Sequence, residues 1–172
     1  MRILFIGDIV GEPGRQAIKE LVPKIVKREK IDFVIANGEN TAGGSGITPM
    51  IVDELLGYGV DVITSGDHIW KRKEILDRIA EDARILRPAN YPREAPGFGA
   101  TVVTSRSGVE VGVINLIGRV FMQAVECPFR TAKAEVDKMK SKTRIIVVDM
   151  HAEATSEKVA LGWFLDGTVS AI

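Results

Sequence analysis

The pattern that most constrains this chain is an alternation of short apolar runs with longer segments of helical spacing. Ile3 to Ile6 is apolar and ends at Gly7-Asp8, and after Pro13-Gly14 the segment Arg15 to Glu29 places Ile18, Leu21, Val22, Ile25 and Val26 three and four apart. A short run closed by glycine reads as a buried strand, and the spacing that follows reads as an amphipathic helix packed on it. The unit recurs as Phe33 to Ala36, a loop rich in Gly and Asn from Asn37 to Gly46, and a helix from Thr48-Pro49 to Leu56. Thr as cap and Pro in the first turn are a helix start signal. A third unit has a strand from Val60 to Thr64, a loop Ser65 to His68 and a helix from Lys71 to Ile79. Three successive strand-helix units predict a mainly parallel sheet covered on both faces by helices.

Beyond them, Pro88, Pro92, Pro96, Gly97 and Gly99 make Arg87 to Gly99 an irregular connection. Thr101 to Ser105 and Val109 to Leu116, joined by Arg106-Ser107-Gly108, read as an antiparallel pair. A helix over Thr131 to Met139, a strand over Arg144 to Met150, a helix over Ser156 to Leu165 and a strand-like Thr168 to Ile172 follow. With 172 residues and no linker or repeat, the chain reads as a single domain.

Charge excludes some functions. Lys and Arg number 23 and Asp and Glu number 23, so a broadly basic nucleic-acid binder is disfavoured and no stable nucleic-acid partner is expected. No stretch reaches the length of about 18 apolar residues that a membrane span needs. The amino-terminal apolar run breaks at Asp8, too early for a signal peptide. The expected compartment is the cytoplasm, with no membrane partner. The single cysteine, Cys127, lies between Val125 and Phe129 and reads as an inert, partly buried thiol.

The chemistry collects where strands end. Asp8 follows the first strand, Glu39 and Asn40 the second, Asp67 and His68 the third, and His151 the run that closes at Met150. Ligands of open α/β sheets bind outside the carboxyl ends of strands. Both histidines of the chain therefore stand with carboxylates and an amide on one expected rim, a donor set suited to Mn, Fe, Zn or Mg. Taken singly, each residue is as well explained as a turn former or a satisfied surface group. The Gly-rich segment from Gly7 to Gly14 has neither GxGxxG nor GxxxxGK[ST] spacing, and its acidic residues would face a pyrophosphate, so both nucleotide-loop folds are rejected. Four aromatics, Trp70, Tyr91, Phe98 and Phe121, are candidates to stack on a base, with the core as their alternative place. The glycine-rich loop Thr41 to Ile47 is a candidate mobile rim.

The segments ILFIGDIVGEPGR, IANGENTAGGSGIT, DVITSGDHIW and VVDMHAEATSEK resemble, in order along the chain, those of YmdB-type metallophosphoesterases, the 2′,3′-cyclic-nucleotide 2′-phosphodiesterases of the calcineurin-like superfamily. The resemblance implies a four-layer α/β/β/α sandwich over residues 1–172, with two divalent metal ions, iron or alternatively manganese, at the edge of its two sheets. It implies that Asp8 and Asn40 bind the first metal, Glu39 bridges both, Asp67 and His151 bind the second, and His68 is the proton donor. The implied activity is hydrolysis of 2′,3′-cyclic nucleotides or small phosphodiesters by a hydroxide held between the ions. A homo-oligomer is compatible with this reading.

The chain departs from the family pattern twice. Position 67 is usually Asn and is Asp here, and a Gly-Thr-His-Thr-His type motif with two metal-binding histidines is absent from these 172 residues. The expectation is a C-terminally incomplete domain with impaired activity, because five ligands remain for two ions. A non-catalytic metal- or nucleotide-binding regulator and a half-enzyme completed by another chain stay open as other readings.

Overall fold

A computed structural model describes all residues from Met1 to Ile172. Its strands are β1 (Ile3–Ile6), β2 (Phe33–Asn37), β3 (Val62–Thr64), β4 (Ala100–Thr104), β5 (Glu110–Ile117) and β6 (Ile145–His151). Its helices are α1 (Gly11–Glu29), α2 (Pro49–Gly57), α3 (Ile75–Glu81), α4 (Pro128–Met139) and α5 (Thr155–Leu165). The strands form two three-stranded sheets, β1-β2-β3 and β4-β5-β6. The first is parallel throughout. In the second, β4 and β5 are antiparallel and β5 and β6 parallel.

The single sheet read from the strand-helix alternation is therefore corrected to two. Apolar periodicity reports which face of a strand is buried and is blind to what covers it. The break falls in the proline-rich stretch after Leu86, where residues without an N–H cannot extend a ladder. Leu86 and Phe98 still touch as an isolated bridge at either end of that stretch.

Strand parity sorts the apolar side chains into three packed layers, because successive residues point to opposite faces. On β2, Val34 and Ala36 pack with Ile18 and Val22 of α1 and with Ile51 and Leu55 of α2. The alternate residues Phe33 and Ile35 instead join Val62 of β3 and, from the second sheet, Val111, Val113 and Val147. The outer face of that sheet, with Ile114, Leu116, Ile146 and Val148, packs on Ala132 and Val136 of α4 and on Leu161 and Leu165 of α5. The result is the four-layer α/β/β/α sandwich that the resemblance implies. Burying each such side chain is worth about 1.5–3 kcal/mol, which is why β2, covered on both faces, is buried at all five positions.

The inter-sheet layer changes character toward the carboxyl ends of the strands. Following the inward parity past Ile35, Val62, Val113 and Val147 leads to Asn37, Thr64, Asn115 and Asp149, and one step beyond Asp149 stands His151. Burial pushes the Asp149 carboxyl pKa up, against the opposing pull of Thr64 and Asn37. Asn115 ties the sheets together: its Oδ1 accepts from Ser65 N at 2.8 Å and its Nδ2 donates to Ser65 O at 2.9 Å. A fully buried amide that pairs both backbone groups of Ser65 is satisfied like a strand neighbour, and it fixes the residue from which the loop carrying Asp67 and His68 departs.

Some boundaries differ from the sequence reading. The helix start Thr48-Pro49 holds, with Ile51 N donating to Thr48 Oγ1 at 3.4 Å. α1 starts at Gly11, before Pro13, because proline is accommodated in a first turn whose N–H groups have no partner. α3 starts at Ile75, later than Lys71, after a run of turns. Thr168 to Ile172 forms no strand and makes one bridge, Val147 to Ala171. No helix is long and apolar enough to cross a membrane.

Candidate metal centre

Every sequence-selected residue lies at the carboxyl end of a strand. Asp8 follows β1, Glu39 and Asn40 follow β2, Asp67 and His68 follow β3, and His151 closes β6. All six line one cleft of about 490 Å³. Because β1, β2 and β3 are parallel, and β6 is packed against them through the inter-sheet layer, the loops open on the same side.

The loops are knitted by backbone hydrogen bonds. Ile9 N donates to Asn37 O at 3.1 Å, Gly11 N to Asn40 O at 2.9 Å, and Gly38 N to Thr64 O at 3.0 Å. The loop Thr41 to Ile47, expected as a mobile rim, is instead tied down. Arg72 donates to Ala42 O at 2.9 Å and Ser45 O at 3.2 Å, Arg15 donates to Thr41 O at 2.6 Å, and Thr41, Ala42 and Ile47 are buried. Its glycines allow positive φ at positions 43, 44 and 46, so glycine here answers a need for a tight path.

Glu39 is the centre of the constellation. It is only 2% exposed, its Oε1 lies 3.3 Å from His151 Nδ1, and its Oε2 accepts from His68 N at 3.2 Å. Across the ring, His151 Nε2 lies 3.2 Å from Asp67 Oδ1. Ligand atoms of Glu39, Asp67 and His151 all fall within 4.8 Å of one another. Asp8 stands outside that tight group and reaches it through Asn40, whose Nδ2 donates to Asp8 Oδ2 at 2.8 Å and to Glu39 Oε1 at 3.4 Å. The structure thus gathers three of the five expected ligands closely, holds Asn40 one hydrogen bond away and links Asp8 through Asn40.

Burial pushes the Glu39 pKa up, and His151 and the His68 N–H counter that rise. A buried carboxylate disfavours its own charge unless a cation or donor compensates. Two carboxylates and an imidazole around one point make a donor set of hard oxygens and nitrogen that fits a divalent ion.

Gly66 explains how the chain passes this point. A Cβ there would lie 2.5 Å from His151 Cδ2 and closer still to Glu39 Oε2. Gly66→Ala is expected to lower stability by about 1–3 kcal/mol, although Gly→Ala at an unstrained, open position stabilises. The wedge falls between two of the expected ligands, so metal affinity should fall with Tm. Thermal unfolding and a Mn(II) titration check it, and an unchanged affinity would mean that Glu39 and His151 need not stay close.

Four further residues line the cleft: Phe121, Met122, Gln123 and Glu153. Phe121 is one of the four aromatic candidates of the sequence, whereas Met122, Gln123 and Glu153 are residues that sequence reasoning misses. Glu153 carries a signal, standing two residues after His151. Met122 and Gln123 lie in an irregular stretch between β5 and α4 whose path no periodicity reveals.

The chain matches the family described as "YmdB-like protein" over residues 4–172. It is 49% identical over 172 residues to a 2′,3′-cyclic-nucleotide 2′-phosphodiesterase of Bacillus subtilis (strain 168), covering all of this chain and 65% of that protein. A crystal structure of a hypothetical protein from Thermus thermophilus superposes with a TM-score of 0.90 at 39% identity, over 99% of this chain and 65% of that one. A structure described as a novel phosphatase from Mycoplasma pneumoniae superposes with a TM-score of 0.89 at 30% identity, over 98% of this chain and 61% of that one. The chain thus spans just under two thirds of the length of these relatives. With the family matched from the first strand to the last residue and the sandwich shared with solved relatives, the chain belongs to the YmdB-like family.

Proposed function

We propose that this protein is a metal-dependent phosphodiesterase acting on 2′,3′-cyclic nucleotides or small phosphodiesters. In this reading Asp8, Glu39, Asn40, Asp67 and His151 hold two divalent ions, iron or manganese, and His68 is the proton donor. The observation that carries it is the buried Glu39 carboxylate, set between His151 Nδ1 at 3.3 Å and the His68 N–H at 3.2 Å, with Asp67 on the far side of the His151 ring. The name borne by the Bacillus subtilis relative supports the substrate class.

Bound divalent cations would supply Lewis acidity toward the phosphoryl oxygens and acidify a water for attack on phosphorus. Proton transfer falls to His68. The Asp8 carboxylate only accepts hydrogen bonds, so the Asn40 NH₂ faces it at 2.8 Å and the amide oxygen is left for His68 Nδ1 at 2.6 Å. An amide oxygen accepts, so Nδ1 carries hydrogen and Nε2 is the nitrogen free to give or take a proton. Asp67 Oδ2 lies 3.7 Å from that Nε2, an ion pair whenever the ring is protonated. The oxygen of water joins phosphorus as the bond from phosphorus to the 2′-oxygen breaks, the leaving oxygen takes the Nε2 proton, the proton that water loses restores the ring, and a 3′-phosphate remains. Asn40 thereby orients the ring while Asp67 holds its charge.

The test is metal analysis of the purified full-length protein with turnover of 2′,3′-cyclic AMP before and after chelation. Metal-dependent release of 3′-AMP is expected. Turnover that survives chelation would refute the reading.

A further inference from the structure

Phe121 is the most exposed of the protein's large hydrophobic side chains, and it lies in the cleft. It is 88% exposed and its φ is +62°, a left-handed conformation that a bulky residue adopts only under constraint. It lines the same cleft as Glu39, Asp67 and His68.

The constraint is visible. Gly118 N donates to His151 O at 2.8 Å, which anchors the start of the loop to the end of β6. The exposed turn is then gripped by the buried Glu157, whose carboxylate accepts from Arg119 N at 3.0 Å and from Val120 N at 3.2 Å. Met122 N donates to Arg119 O at 3.2 Å. At the far end of the loop, Glu126 N donates to Asn90 O at 3.0 Å. The loop is pinned on both sides of Phe121, so the ring is held out into water by a strained backbone and not left there by a loose one. The other aromatic candidates drop out: Trp70 packs on the core and edge-on to Tyr91 at 4.7 Å, Tyr91 is buried, and Phe98 lies outside the cleft.

We infer that Phe121 is a specificity-determining residue whose ring stacks on the nucleobase of the substrate while the phosphodiester sits among the ligand side chains. The inference rests on the phosphodiesterase reading and adds the part of the substrate that reading leaves unrecognised. An exposed ring beside an acidic, polar cleft gives a planar base an apolar face that the ligand side chains do not offer. Strain is stored where a side chain is needed in one place, and stacking tolerates any base because every base has a π-face.

The experiment compares, in the full-length protein loaded with Mn(II), kcat/KM for 2′,3′-cyclic AMP with that for 1-O-methylribose 2,3-cyclic phosphate, which has no base. Calorimetry with 3′-AMP gives a binding readout independent of turnover. Phe121→Ala should reduce the preference for the nucleotide about tenfold and weaken 3′-AMP binding by a similar factor. Phe121→Trp should restore both. Phe121→Gly should lose the preference while raising Tm, since glycine adopts the positive φ without strain. An unchanged preference in Phe121→Ala, or a Trp variant that behaves like Ala, overturns the stacking role and leaves the phosphodiesterase reading standing. A wild-type protein that hydrolyses neither compound overturns both.

Discussion

Glu39→Ala is expected to abolish metal binding, whereas His68→Ala retains metal and loses turnover by about 10²–10⁴-fold, the usual worth of a positioned proton donor. Glu39 is almost fully buried and holds contacts to His151 and the His68 N–H at once. Its removal leaves His151 without the carboxylate that orients Nδ1 and takes away the proposed ligand common to both ions. His68 meets the site from the side, through Asn40 and Asp67, and its ring is not among the close ligand group. Glu39→Gln keeps the volume and one acceptor, so it separates charge from packing: it should fold like wild type and still lose metal. Metal content by elemental analysis and turnover of 2′,3′-cyclic AMP check the pair. Equal metal loss in the Glu39 and His68 variants would contradict separate roles and make His68 a ligand.

The second large effect concerns the 172-residue chain by itself, which is expected to fold yet turn over 2′,3′-cyclic AMP at least about a hundredfold more slowly than a version extended by a segment carrying a Gly-Thr-His-Thr-His type motif. The three packed layers account for folding. The ligand count accounts for the weakness: the proposed first ion has Asp8, Asn40 and a share of Glu39, and no imidazole. Loss of a group that merely orients a ligand costs about 10–100-fold in affinity or activity, and the two nitrogen ligands that the resemblance implies in that motif should be worth no less. Titration of both versions with Mn(II), read as bound metal and as turnover, decides it. Matching rates would show that Asp8, Glu39, Asn40, Asp67 and His151 suffice with solvent, or that a second subunit completes the site.

Much of the site was legible before any fold was known. Parallel strands put their carboxyl ends on one side, so polar residues placed just after the apolar runs had to meet there, and Asp8, Glu39, Asn40, Asp67, His68 and His151 do line one cleft. The donor types were legible for the same reason, because side-chain chemistry does not depend on the path of the backbone. The order in which the residues touch was not. Asp8 reaching Glu39 only through Asn40, and His151 lying between two carboxylates, depend on distances of a few tenths of an ångström that loop hydrogen bonds decide.

The sequence by itself determined the local elements, since strand and helix periods are written in nearest-neighbour spacing, and it determined the chemistry of the rim. Only the tertiary structure decided that six strands divide into two sheets, because Phe33 and Ile35 are equally buried whether a helix or another sheet covers them, and here it is Val113 and Val147 that do. Tertiary structure also decided that residue 66 must be glycine, since the atoms its Cβ would meet belong to Glu39 and His151, 27 and 85 positions away in the chain. Phe121 shows the same limit from the other side. Its aromatic ring was plain in the sequence, but its exposure and positive φ arise from Glu157 and His151 gripping the turn around it, and contacts between segments so far apart leave no local signature.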